Sequence, residues 1–190
     1  MTSDNDANSL GNDASSRERL LDAAIEIAGR EGLNAVTYRA VAARVGMAHG
    51  MVRHHFGTRE QMLIEAFRRA AHQDSDEVKL AAHSIDEFVS QFVTTLNLSR
   101  ERQLLQYDET VQAIRGNLPI DIVRGLNDRY ISTVHRTLQN AGIEDPDGVL
   151  SALVFATLDG LVLQHFVYGD DARTERILAQ LRDVLRLRAQ

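Results

Sequence analysis

Apolar residues recur at three- and four-residue intervals along almost the whole chain, the spacing that gives a helix one water-avoiding face. Leu20, Leu21, Ala24, Ile25 and Ala28 form the first stripe, opened by a capping box of Ser15 and Glu18 and stopped by Gly32. A second helix is predicted from Tyr38 to Val45, with Thr37 as N-cap and Gly46 as stop. A short third runs from about His49 to His55, closed by Phe56 and Gly57. Thr58 and Gln61 frame another capping box, opening a fourth helix from about Arg59 to Ala81 that carries Met62, Leu63, Ala66, Phe67 and Ala70.

The elements then lengthen. Ser84 and Glu87 should cap a helix with Ile85, Phe88, Val89 and Phe92 on one side, and another should span about Arg100 to Arg115. Pro119 sits in the first turn of the next, where its missing N–H costs nothing; Val123, Leu126, Tyr130, Val134 and Leu138 follow, and Gly142 ends it. Asp145-Pro146 opens an eighth helix that ends near Gly169, and Asp171 opens a ninth with Ile177, Leu178, Leu181, Val184 and Leu185. No alternating β-branched run competes, so the expected fold is all-α with about nine helices and no internal repeat.

Composition agrees with this pattern. The chain has two Pro, no Cys and 44% hydrophobic residues, which fits a helical, folded protein without disulfides or thiolate metal sites. Residues 1–14 are polar and acidic, the pattern of a disordered tail and not of a secretory signal. The apolar stretch from Val149 to Val167 is interrupted by Asp159, Gln164 and His165, which argues against a membrane span; a cytoplasmic protein is expected.

The net charge of −6 is unevenly spread. Residues 1–14 carry −3 and residues 71–190 carry −6, whereas residues 15–70 hold nine Arg against six acids, and three His besides. Only that middle stretch could approach phosphates favourably. Within it, Tyr38 to Gly57 reads YRAVAARVGMAHGMVRHHFG. Ala42 is small enough for two helices to cross closely, Gly46 tolerates a positive φ in a tight turn, and Val41, Val45, Met47 and Val52 fall on the inward face. An ordinary helical hairpin with a Gly stop would share part of this pattern.

The stretch from about Arg17 to Phe67 resembles the N-terminal domain of TetR-type transcriptional regulators, both in RERLLDAAIEIAGREGLNAVTYRAVAARVG and in a recognition helix closing on His-His-Phe. Gly57-Thr58-Arg59-Glu60-Gln61-Met62-Leu63 resembles that family's entry into its fourth helix. The resemblance implies a helix-turn-helix domain over residues 15–70 and a ligand-binding and dimerisation domain over residues 71–190. It also implies Thr37, Tyr38 and Arg39 beside the DNA backbone, and His49, Gly50, Met51, Arg53 and His54 facing the major groove. His55 and Arg59 would stand at phosphate-binding positions. Arg53 departs from the family, which usually has Tyr there; arginine could grip a phosphate or a guanine edge.

The same resemblance implies a homodimer through the last two helices, a pseudo-palindromic double-stranded DNA operator, and a small-molecule effector in a cavity of the fifth to eighth helices. Phe88, Phe92, Tyr107, Tyr130, Phe155 and Asp159 are the candidate pocket residues, although aromatic residues at helical spacing also build ordinary cores. Asp159, inside an apolar run, should need a partner; the alternative to a pocket position, and the favoured one, has it hydrogen-bonded or exposed at the dimer surface. No cofactor is expected. The adjacent His54 and His55 point about 100° apart on a helix and cannot chelate together, and neither HExxH nor any nucleotide or hydrolase motif occurs, so neither a metal site nor an enzyme is expected. The competing reading is a helical small-molecule-binding protein or interaction adaptor without DNA contact.

Overall fold

The structure, a computed structural model, describes residues 4–77 and 80–189. Among them are nine α-helices and no strand: α1 (Asp4–Glu31), α2 (Tyr38–Val45), α3 (His49–Phe56), α4 (Arg59–Glu77), α5 (Phe92–Leu98), α6 (Arg100–Ile114), α7 (Ile120–Asn140), α8 (Val149–Tyr168) and α9 (Asp171–Arg186). They form two compact units, each built from two stretches of chain: residues 1–72 with 100–118, and residues 73–99 with 119–190.

The first unit is organised around α1. Leu20, Ala24 and Ala28 are at most 2% exposed, and they share one core with Val36, Val41, Val52, Phe56, Met62 and Leu105. Helix α1 starts at Asp4, not at Ser15. Residues 1–3 lie outside the described residues.

Local chemistry explains α2 closely. The Thr37 hydroxyl accepts the Ala40 amide at 3.1 Å, and Gly46 at φ 71° lets the Met47 amide return to the Ala42 carbonyl at 2.9 Å. That six-to-one bond closes the helix and starts the tight turn to α3. Helix α6 joins this unit by packing along α1, with Leu105 inserted into its core. A sequence division at residue 70 does not anticipate this, because α6 lies far along the chain.

The second unit holds α5, α7, α8 and α9. Half of the Ser84–Glu87 capping box forms: Ser84 Oγ accepts the Glu87 amide at 3.3 Å, while Glu87 Oε2 takes the His83 amide at 3.4 Å and not that of Ser84. The expected helix nevertheless does not follow; residues 85–91 are turns and α5 starts only at Phe92. Val89 adopts φ 54° while fully buried beside Phe88. A β-branched residue there costs on the order of 1–3 kcal/mol, and burying two large apolar side chains offsets it.

Two further boundaries differ from expectation. α4 is described as far as Glu77, residues 78–79 lie outside the described residues, and Leu80 and Ala81 are non-helical. α8 begins at Val149 and not at Asp145. Asp145 still caps it from a distance, accepting the Leu150 and Ser151 amides at 3.0 Å each, the Ser151 hydroxyl, and His135 Nδ1 at 3.1 Å. Burial alone would raise its pKa, but these bonds outweigh burial and hold the carboxyl at about 2. At the other end of α8, buried His165 meets Thr174 Oγ1 and Asn97 Oδ1, both at 3.1 Å, joining α5, α8 and α9.

Candidate nucleic-acid interface

Residues 32–59 contain four Arg, three His and not one Asp or Glu. The folded unit sorts its cations into two groups. Arg44 reaches back to Glu26 at 2.6 Å, Arg30 pairs with Glu26 and Glu101, Arg69 forks onto Asp22 at 2.6 and 3.0 Å, and Arg17 pairs with Glu65 while lying 5.2 Å above the Phe56 ring. Arg19 donates to the Val45 carbonyl at 3.1 Å. These side chains hold α1 to its neighbours.

Arg39, His49, Arg53 and His54 behave differently. All four are exposed and have no carboxylate partner among the described residues. Gly50 and Met51 are exposed beside them, while Val52 and Phe56 anchor the opposite side of α3 in the core. A short helix is thus held by its apolar side and presents uncompensated positive and titratable groups on the other. Phosphates and base edges are the chemistry such a face accepts.

The remaining candidates are placed less freely. His55 is half-buried, its ring 5.8 Å from that of His54 and 6.1 Å from that of Phe56. Thr37 is exposed; its oxygen caps α2 and its hydroxyl proton is left to donate. Half-buried Tyr38 donates its hydroxyl to the Gly57 carbonyl at 2.9 Å. Arg59 donates Nε to the Val36 carbonyl at 2.6 Å and Nη2 to the Leu33 carbonyl. Sequence gave no signal for the last two arrangements, because backbone carbonyls accept without any telltale residue type.

Tyr130 and Phe155 stack at 5.5 Å in the second unit, where Phe88 and Phe92 are buried core. Tyr107 lies on α6 and belongs to the first unit. Asp159 is exposed on α8, as the alternative to a pocket position expects. Glu109 of α6, which the sequence did not single out, is 3% exposed, and its Oε1 has no hydrogen-bond partner among the described residues. Burial first, and Asp108 second, push its pKa up to about 9. His135, Asp145 and Ser151 meet as well, but one imidazole nitrogen faces both the carboxylate and the hydroxyl, so the ring cannot relay a proton between them.

A recognition helix behind a left-handed Gly turn, clear of acids on its outer face, defines a helix-turn-helix DNA-binding transcription regulator. Residues 20–66 match the model of the bacterial regulatory proteins of the tetR family, and residues 76–187 match that of the tetracyclin repressor-like C-terminal domain. The chain belongs to the tetR family.

Relatives share this organisation. The HTH-type transcriptional regulator BetI of Rhizobium meliloti (strain 1021) is 38% identical over 52 residues, 27% of this chain and 26% of that protein, so the match spans about a quarter of its length. A putative transcriptional regulator from Saccharomonospora viridis, solved in complex with choline, has a similar fold with TM-score 0.73 over 91% of this chain and 96% of that one, at 21% identity. A putative TetR-family transcriptional regulator from Rhodococcus sp. gives TM-score 0.74 over 93% and 100% of the two chains, at 14% identity.

Proposed function

We propose that this regulator is a homodimeric repressor that binds a pseudo-palindromic operator and is released from it by a small-molecule effector. The observation that carries the reading is the acid-free run of residues 32–59, with Arg39, His49, Arg53 and His54 left exposed and unneutralised. His49, Gly50, Met51, Arg53 and His54 would enter the major groove, and Thr37, Arg39 and His55 would border the phosphates.

Gly50 adds weight. A Cβ built there meets nothing within 4 Å, so the protein's own packing does not require glycine. Its missing side chain costs helix stability and is explained by a backbone that must come close to something outside.

The dimer reading rests on α8 and α9. Val149, Leu153, Ala156, Gly160, Leu163 and Val167 follow one another at three- and four-residue steps along α8, and the large members are 45–78% exposed. Gly160 also meets nothing within 4 Å, which suits close approach of a second helix. An apolar groove of about 650 Å³ between α8 and α9, lined by Leu150, Leu153, Ile177, Leu181 and Val184, continues the surface. α8 is long and apolar enough to cross a bilayer by composition alone, yet its stripe fits a four-helix seam between two copies. The effector would bind in the second unit; the choline held by the Saccharomonospora viridis protein supports a small organic molecule as its class.

Selection of duplexes from a random library by the purified protein tests the reading. Enrichment of an inverted repeat, lost as salt rises and weakened by an effector, is the expected result. A protein indifferent to every duplex at low ionic strength would overturn it.

A further inference from the structure

Two hydrogen-bonding side chains cross between the ends of the helix-turn-helix, in opposite directions. Tyr38, the first residue of α2, donates to the carbonyl of Gly57, which follows α3. Arg59, the first residue of α4, donates to the carbonyls of Leu33 and Val36, just ahead of the α2 cap. Resting on the DNA-binding reading, we infer that Tyr38 and Arg59 are positioning residues: a reciprocal clasp that fixes the start of α2, and Thr37 with it, for contact with the DNA backbone.

The chemistry favours this role over a direct phosphate contact by Arg59. The Val36 and Leu33 carbonyls precede a helix, and the planar guanidinium meets them with two separate nitrogens in fixed geometry, which the single nitrogen of an ammonium cannot reproduce. The Leu33 carbonyl already accepts the Val36 amide at 3.2 Å, and the Ala35 amide bonds the Gly32 carbonyl at 3.1 Å, so the guanidinium reinforces a short turn that two backbone bonds hold. The Val36 carbonyl belongs to the peptide entering Thr37, so its orientation sets where the threonine hydroxyl stands. Tyr38 completes the closure over 19 residues of chain.

Three variants test the clasp: Arg59→Ala, Arg59→Lys and Tyr38→Phe, the last removing only a hydroxyl. In the free proteins, amide exchange at Ala40 and Val41 should quicken in Arg59→Ala and Tyr38→Phe, while the α1 core amides keep their protection. Affinity for a mixed-sequence duplex of about 30 base pairs, long enough for two half-sites, should fall by about tenfold in both, with the slope of log K against log salt unchanged. Arg59→Lys should recover only part of the loss. A slope reduced by about 0.9 in Arg59→Ala, with full affinity in Arg59→Lys, would make Arg59 a phosphate ligand and overturn the proposal. Unaltered exchange at Ala40 and Val41 would also overturn it. If the wild type binds no duplex, the DNA-binding reading falls, and the clasp still stands or falls on exchange alone.

Discussion

Gly29 and Glu101 are in backbone contact: a Cβ on Gly29 would stand 2.4 Å from the Glu101 Cα and carbonyl oxygen. Neither helix can accommodate that, so α6 lies as close to α1 as any residue but glycine would forbid. The neighbouring Arg30 then reaches Glu101 at 3.1 Å, and the Glu101 carboxyl is held below its usual pKa by its backbone hydrogen bond and by Arg30. Gly29→Ala should displace α6 and cost about 1–3 kcal/mol as an overpacking change, lowering the melting temperature by several degrees at about 2–4 °C per kcal/mol. Calorimetry on the variant checks this; an unchanged melting temperature would mean that the two helices do not meet there.

Gly50→Ala should do the opposite to stability. With no neighbour to clash with and φ in the ordinary range, alanine gains up to about 1 kcal/mol of helix propensity. Duplex affinity should nevertheless drop, because the methyl stands on the face offered to the groove. Paired measurements of unfolding and DNA binding separate the two effects, and a variant that gains stability without losing affinity would remove Gly50 from the interface.

Arg53→Ala distinguishes two modes of recognition. A contact to guanine should cost about 1–3 kcal/mol and relax discrimination at one base pair. A phosphate contact should weaken binding alike on all duplexes and lower the salt slope by about one. Arg53 is exposed and has no carboxylate partner among the described residues, so no internal pair has to break for either contact. An unchanged affinity and slope would exclude both.

How much of this was legible beforehand depends on the range of the interactions. The α2–α3 turn follows from Thr37, Ala42 and Gly46, whose effects act within five residues, and it forms as the spacing predicts. Ser84 takes the Glu87 amide as expected, but no helix follows; Phe88 and Val89 are buried there by tertiary packing, which no local signal carries. The placement of α6 on α1, the sorting of cations between acids and open surface, and the burial of Glu109 all arise between distant segments. Asp159 shows the limit of local pattern: apolar neighbours in sequence do not bury a residue when the helix face they share is itself exposed.

Glu109 makes stability fall as pH rises. The unfolded chain releases this proton near 4.5, whereas the folded chain keeps it to about 9. Between those values the native state binds more protons, so its contribution is fully present below 4.5 and is lost by about 9. The slope is at most about 1.4 kcal/mol per pH unit. Glu109→Gln keeps the shape and removes the titration, so urea unfolding across that window should show a flatter pH profile and a gain at neutral pH. Parallel profiles for the two proteins would place the carboxyl in water.

Leu153 tests the α8 seam. It is 62% exposed and lines the groove between α8 and α9, so in a single copy its replacement removes little packing. In a two-fold dimer each substitution acts twice, and Leu153→Glu would set two carboxylates into an apolar seam. Loss of about 1.5–3 kcal/mol per leucine, before any charge penalty, should raise the dimer dissociation constant by at least about a hundredfold. Sedimentation should then show a monomer with unchanged helix content at concentrations where the wild type is a dimer. DNA affinity should fall as well, since a single head reaches only one half-site. A variant that stays dimeric would move the interface off this face of α8, and a wild type that is monomeric would remove the symmetry on which a pseudo-palindromic operator depends.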